Sequence, residues 1–265
     1  MTELQKGRLH QEYYRNGENH RNGEDVSFAD IVSIFGFRTV EIGKWVTKQE
    51  QQIAANLFFD ALCDLMDILH IPMRVISLNG TLSLSFGKGG RKGAYAHYNS
   101  AKRQLSLAKN AGGGALAHEW FHAYDHFICA KVFDINKPHL FATEVWLNEL
   151  APLNEHVLNQ KLIDAFEAMF LAANRKQASD LMLASIDADK RQNIFYYARP
   201  QEIAARAFER IIQENPIKNA FLVRGTLQSA EAKLGLYPGG SELQRIAAPL
   251  QSYFSILGRA LLQKN

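Results

Sequence analysis

The sequence predicts an α+β fold, mostly helical, with one small sheet. Three stretches predict it. Residues 47–69, TKQEQQIAANLFFDALCDLMDIL, place Ile53, Leu57, Phe58, Leu62, Leu65, Met66 and Leu69 at three- and four-residue intervals, the period of an amphipathic helix. Residues 74–108 instead alternate apolar and polar side chains around glycine and asparagine turns, the pattern of short strands. From residue 115 to the C-terminus one helical pattern follows another. There is no solenoid-length repeat, and nothing in the composition marks a linker between domains.

Composition excludes several classes. The 30 basic and 27 acidic side chains leave a net charge of +3, too balanced to argue for a nucleic-acid partner on electrostatics alone. The two cysteines, Cys63 and Cys129, form no Cys-x-x-Cys pair, so a thiolate zinc ribbon is excluded and a reducing compartment is expected. No run of about 18 apolar residues is present. The polar N-terminus lacks the apolar core of a signal peptide, which predicts a cytoplasmic protein without a membrane span.

The elements follow in order. Residues 1–26 are polar and twice repeat Arg-Asn-Gly-Glu, which predicts a flexible or loosely docked leader. Residues 27–265 then read as a single domain. Thr47 with Glu50 three residues on forms a capping box for the first long helix, and His70 follows as that helix ends. Asn79-Gly80 between two apolar runs predicts a hairpin. The segment 87–93, GKGGRKG, is a basic loop that reads as a solvated turn. His97 falls in a strand, and the whole region predicts a small antiparallel or mixed sheet of three or four strands. Gly112 to Gly114 let the backbone turn tightly into a helix over about 115–133. A further helical stretch is expected over 143–183, interrupted near Pro152. Another opens at Pro200 and ends near Asn215-Pro216, and a final amphipathic helix is disturbed by Pro249.

The chemistry lies in His118-Glu119-Trp120-Phe121-His122. Four residues are just over one helical turn, so the two histidines project about 40° apart on one face, as two nitrogen ligands of one ion must. Glu119 stands about 100° from His118, placed to take a proton from a metal-activated water. The pattern therefore carries a reaction geometry as well as a binding site. Trp120 and Phe121 are expected to pack on the sheet side.

A catalytic zinc needs a third protein ligand. His126 points about 80° from His118 and is a poor candidate, since one straight helix rarely gives three ligands to a tetrahedral ion. Asp125 lies almost on the His118 face, where it can orient an imidazole or serve as a surface or capping residue. Glu144, Glu149, Glu155 and Glu202 are the remaining acidic candidates. Glu202 sits in YYARPQEIAARAFERI, whose alanines let a helix pack closely. The same stretch also reads as a buried helix with an ion-paired glutamate. Tyr196 and Tyr197 stand just before it, and a tyrosine hydroxyl beside a zinc can stabilise an oxyanion.

The order Glu-x-x-Ala-x-Ala-Phe, here Glu202 to Phe208, after His-Glu-x-x-His resembles zincin metallopeptidases of the gluzincin type, including the anthrax-lethal-factor-like peptidases. More closely, the chain resembles the zincin domain associated with large polyvalent proteins of phages and conjugative elements. FGFRTVEIGKWV, SLNGTLSLSFGKGGRKGAYAHY, GGGALAHEWFHAYDH, YYARPQEIAARAFE and YPGGSELQRI carry that likeness, over about 28–258. The resemblance implies a zincin-like fold with the sheet packed on the His-Glu-x-x-His helix. It also implies one Zn2+ per chain held by His118, His122 and Glu202, Glu119 as general base, and Tyr196 or Tyr197 near the metal. The implied activity is hydrolysis of a protein or peptide substrate. The strand near Leu82–Phe86 is expected to be an edge to which an extended substrate pairs by strand addition. Two alternatives stand beside it. One is a zincin-fold binding module in a mobile-element or DNA-transfer system, with little or no catalysis. The other is an effector protease kept latent by a partner or by the leader. Phe121 departs from the small residue common before the second histidine, which narrows the cleft under the helix.

Overall fold

The computed structural model describes residues 8–88, 96–109 and 114–263. It is α+β, mostly helical, with a mixed four-stranded sheet. The chain forms two compact units. One comprises the chain up to Ala123 together with Asn215–Arg224; the other comprises Tyr124–Glu214 and the chain from Gly225 onward.

The first unit contains α1 (Phe28–Phe35), β1 (Val40–Ile42), α2 (Lys48–Leu69), α3 (Met73–Ile76), β2 (Ser83–Phe86), β3 (Ala96–Asn99), β4 (Gln104–Leu107) and the start of α4 (Leu116–Val132). The capping box of α2 forms as expected. Glu50 donates its N–H to the Thr47 hydroxyl, and its carboxylate accepts the Thr47 N–H at 2.8 Å. A second box, Ser27 with Asp30, starts α1, and Gly36 ends it in the left-handed conformation.

The strand order is β1-β2-β4-β3, with β1, β2 and β4 parallel and β3 antiparallel to β4. Leu84 pairs with Leu105 and Phe86 with Leu107, so one face of the two central strands is apolar. Phe28 and Phe58 pack on Phe86 with ring centroids 5.8 and 6.2 Å away, and Phe221 of the returning segment closes on Phe58 at 5.4 Å. Burying each such ring stabilises the fold by about 1.5–3 kcal/mol.

Two expectations are corrected here. The apolar run before Asn79 is the one-turn helix α3, not a hairpin strand. Pro72 lacks an N–H for a ladder and precedes the helix. Leu78, Asn79 and Gly80 then all take positive φ, a reversal that joins helix to strand rather than strand to strand. The strand at Leu82–Phe86 is also no edge. All four residues of β2 are buried between β1 and β4, so both of its hydrogen-bonding sides are taken, and the edges are β1 and β3.

From residue 8 the polar leader lies on α2. Arg15 grips the buried carboxylate of Asp64 through Nε and a terminal nitrogen, both at 2.7 Å. Arg21 pairs with Asp60, and His20 with Asp67 at 2.7 Å. Gly17 permits this approach, since a Cβ there would lie 1.9 Å from an Asp64 oxygen.

The second unit holds the rest of α4, then α5 (Ala142–Leu147), α6 (Val157–Phe170), α7 (Asp180–Gln192), α8 (Pro200–Glu214), α9 (Ala230–Lys233) and α10 (Gly240–Leu262). The stretch expected over 143–183 is thus three helices. Glu149 in the left-handed region and Pro152 end the first of them, and a Leu171–Ala178 bridge separates the next two. Pro249 does not break α10, which runs unbroken through it. α10 lies along α6, and α8 packs against α5, α6, α7 and α10 with Ile203 to Ile212 all buried. No helix among the described residues is long and apolar enough to cross a membrane.

Candidate metal centre

α4 enters on a glycine for a specific reason. Gly114 has φ +110°, and a Cβ on it would lie 2.9 Å from the Arg224 Cβ. Its N–H donates to the Phe221 carbonyl at 2.7 Å, its carbonyl accepts from the Arg224 N–H, and Ala117 N–H donates to the Leu222 carbonyl at 3.2 Å. The first turn of the helix is therefore pinned by the 215–224 segment. Gly112 and Gly113, and the basic loop beyond Lys88, lie outside the described residues. Lys88 pairs with Glu41 at 2.8 Å.

Trp120 and Phe121 are buried, and the Trp120 indole donates to the Ile76 carbonyl at 3.0 Å, the carbonyl that the short α3 leaves at its end. This fixes the rotation of α4. His118 and His122 then stand one above the other with their Nε2 atoms 3.1 Å apart and ring centroids at 4.8 Å. Two nitrogens on one tetrahedral zinc, each about 2.0–2.1 Å from it, are about 3.3 Å apart. Glu119, between them in sequence, accepts the Tyr98 backbone N–H on Oε2 at 2.7 Å. Tyr98 lies on the edge strand β3, so its N–H is free of the ladder and turns to the carboxylate.

His118 and His122, in the first unit, present two imidazole nitrogens from one face of α4, and Glu202 belongs to the second unit, in the first turn of α8. Imidazole nitrogens suit zinc, which takes a carboxylate as a common further ligand. Glu18, His20 and Asp67 form a more exposed group of possible ligands within the first unit, in which His20 Nε2 lies 2.7 Å from Asp67. The other candidate ligands go elsewhere. Asp125 is fully buried and accepts the Thr143 N–H at 2.9 Å and its hydroxyl at 2.6 Å, which caps the start of α5. His126 meets the Pro138 carbonyl at 2.6 Å and packs beside Phe141. Among the described residues, Glu144, Glu149 and Glu155 join no group of possible metal ligands.

Glu202 sits in the first turn of α8, its N–H bonded to the Arg199 carbonyl at 3.0 Å. One turn on, the Arg206 guanidinium is buried. Burial lowers its pKa, and the nearby Glu202 charge is the largest opposing influence. Tyr196 is 45% exposed and Tyr197 half-buried, with the two rings 5.3 Å apart edge to face and Arg206 over the Tyr197 ring at 5.7 Å. The loop carrying them is gripped by Asp189 of α7, which accepts the N–H groups of Tyr196, Tyr197 and Ala198. Sequence reasoning missed Asp189. Its signal was an acidic side chain in the last turn of a helix, where the helix dipole disfavours it.

Residues 188–261 match the family described as large polyvalent protein-associated domain 1. The matched stretch includes Asp189, the two tyrosines, all of α8 and most of α10. No curated protein and no solved structure is significantly similar to the chain.

Proposed function

We propose that the protein is a zinc-dependent peptidase with a zincin-like active site. The observation that carries this reading is the pair of Nε2 atoms 3.1 Å apart on α4, with Glu119 between the two histidines in sequence. His118, His122 and Glu202 would hold the ion. Zinc bound there supplies a Lewis acid and a water of lowered pKa. Glu119 would serve as the general base for the attacking water and return the proton to the departing amine. The hydrogen bond from the Tyr98 N–H orients its carboxylate. A hydroxyl of Tyr196 or Tyr197 donates to the oxyanion that develops on the attacked carbonyl. Because β3 is an edge strand beside Glu119, an extended peptide can add to it there rather than at β2. The family match at residues 188–261 supports a setting among large polyvalent proteins.

Elemental analysis and peptide cleavage together test this reading. About one zinc per chain is expected in the native protein, with clear loss in His122→Ala and in Glu202→Ala. Glu119→Gln should keep its zinc and lose cleavage by at least a hundredfold, as a missing general base does. A Glu119→Gln protein that cleaves as well as the native one would falsify the base assignment. A native protein that takes up no zinc would remove the site altogether.

A further inference from the structure

Asp189 is 5% exposed, and its two oxygens accept three consecutive backbone N–H groups: Tyr196 at 3.0 Å, Tyr197 at 2.8 Å and Ala198 at 2.9 Å. Successive N–H groups turned toward one point form an anion-binding nest, here filled by the chain's own carboxylate. The other side of the same peptide is held as well. Arg206, 2% exposed, donates to the Tyr197 carbonyl at 2.5 Å, to the Ser185 hydroxyl and to the Leu236 carbonyl. Tyr197 is thus fixed through its N–H by α7 and through its carbonyl by α8.

This is a costly way to hold a surface loop. Loop N–H groups ordinarily bond to water, and burying a carboxylate and a guanidinium to replace it carries a desolvation penalty. Position 189 also opposes the dipole of α7. What the loop carries is exposed and apolar: Ile194 is 44%, Phe195 69% and Tyr196 45% exposed. Its last residue before the helix, Arg199, accepts the N–H groups of Glu202 and Ile203, so the loop also sets the first turn of α8. A tightly locked backbone that presents solvent-facing aromatic rings fits rings that must meet something outside the core.

We infer that Asp189 is a positioning residue that locks the 195–198 loop so that a Tyr196 or Tyr197 hydroxyl is held for the reaction. The inference rests on the peptidase reading for its chemistry and stands apart from it for the lock itself. Asp189→Asn keeps the size of the side chain, but its amide oxygen replaces only part of the acceptor capacity and its NH2 faces donors with a donor.

Two measurements separate the lock from the chemistry. In the metal-free protein, amide hydrogen exchange at residues 196–198 should speed up at least tenfold in Asp189→Asn, while amides 204–211 of α8 keep their protection. Unchanged exchange at 196–198 overturns the lock. In the zinc-loaded full chain, Asp189→Asn should lower kcat at least tenfold, with KM and zinc content within twofold of native. In a Tyr196→Phe, Tyr197→Phe background the same change should cost less than twofold, because the groups it positions are gone. An equal loss in both backgrounds makes Asp189 merely structural and overturns the positioning role. If the native protein binds zinc and cleaves nothing, yet its loop opens in Asp189→Asn, the peptidase reading falls, the catalytic half of the inference falls with it, and the lock stands.

Discussion

Glu119 and Asp125 share α4 and meet opposite surroundings. Glu119 was legible because its role depends on spacing within a single helix. Its partner, the Tyr98 N–H, was not, because a backbone donor on a strand leaves no mark in the side-chain pattern. Asp125 was read two ways, and the capping of α5 by pairing with Thr143 decides between them. Full burial pushes its carboxyl up to about 7, against the lowering effect of the Thr143 and Ala142 hydrogen bonds. A carboxyl with a higher pKa in the folded chain than in the unfolded one retains its proton on folding. Its contribution is therefore complete below about pH 4 and is lost as pH climbs through about 7. With metal chelated, the native protein should melt lower at pH 8 than at pH 5. Asp125→Asn, which can accept from the Thr143 N–H and donate to its hydroxyl, should flatten that difference. Melting temperatures that fall in parallel for the two proteins would assign the pH dependence to another group.

α2 shows what a helix pattern reveals and what it hides. Its apolar face and its capping box were both legible, since each depends on residues within a turn or two. Its other face carries Asp60, Asp64 and Asp67 at intervals of four and three, and sequence alone gives no reason to expect partners for them. The partners, Arg21, Arg15 and His20, lie about forty to fifty residues earlier in a stretch that composition reads as unable to pack. Polar residues hold to a domain when they meet a buried charge, and Asp64 is such a charge, also bonded to Asn219 at 2.6 Å. Removing only one side of a buried ion pair strands the other. Arg15→Ala should therefore destabilise the first unit by about 3 kcal/mol or more, and adding Asp64→Asn should restore much of that loss. Urea unfolding measures both. A loss below about 0.5 kcal/mol for Arg15→Ala would place the pair with ordinary surface salt bridges.

At the scale of the whole molecule, the chain path explains why no linker was legible. The division between units falls inside α4, after Ala123, and again at either end of the 215–224 segment, where there is no long Gly, Ser or Pro-rich stretch. The returning segment completes the first unit. Phe221 and Leu222 are each 1% exposed, Ala220 N–H bonds to the Tyr14 carbonyl, and Asn219 reaches Asp64. The family match at residues 188–261 runs straight across this segment. A contiguous piece with those limits would hold α8 and α10 without α6, which packs along α10, and would expose Phe221 and Leu222 without the Phe58 and Asp64 surfaces that receive them. Hydrophobic faces that lose their partners do not repay the entropy of ordering the chain. The isolated fragment 188–261 should therefore lack a cooperative thermal transition under conditions where the full chain has one. Calorimetry on both decides it. A cooperative fragment with native-like exchange protection over α8 would mean that this stretch carries its own folding information and that the rest of the chain was built around it.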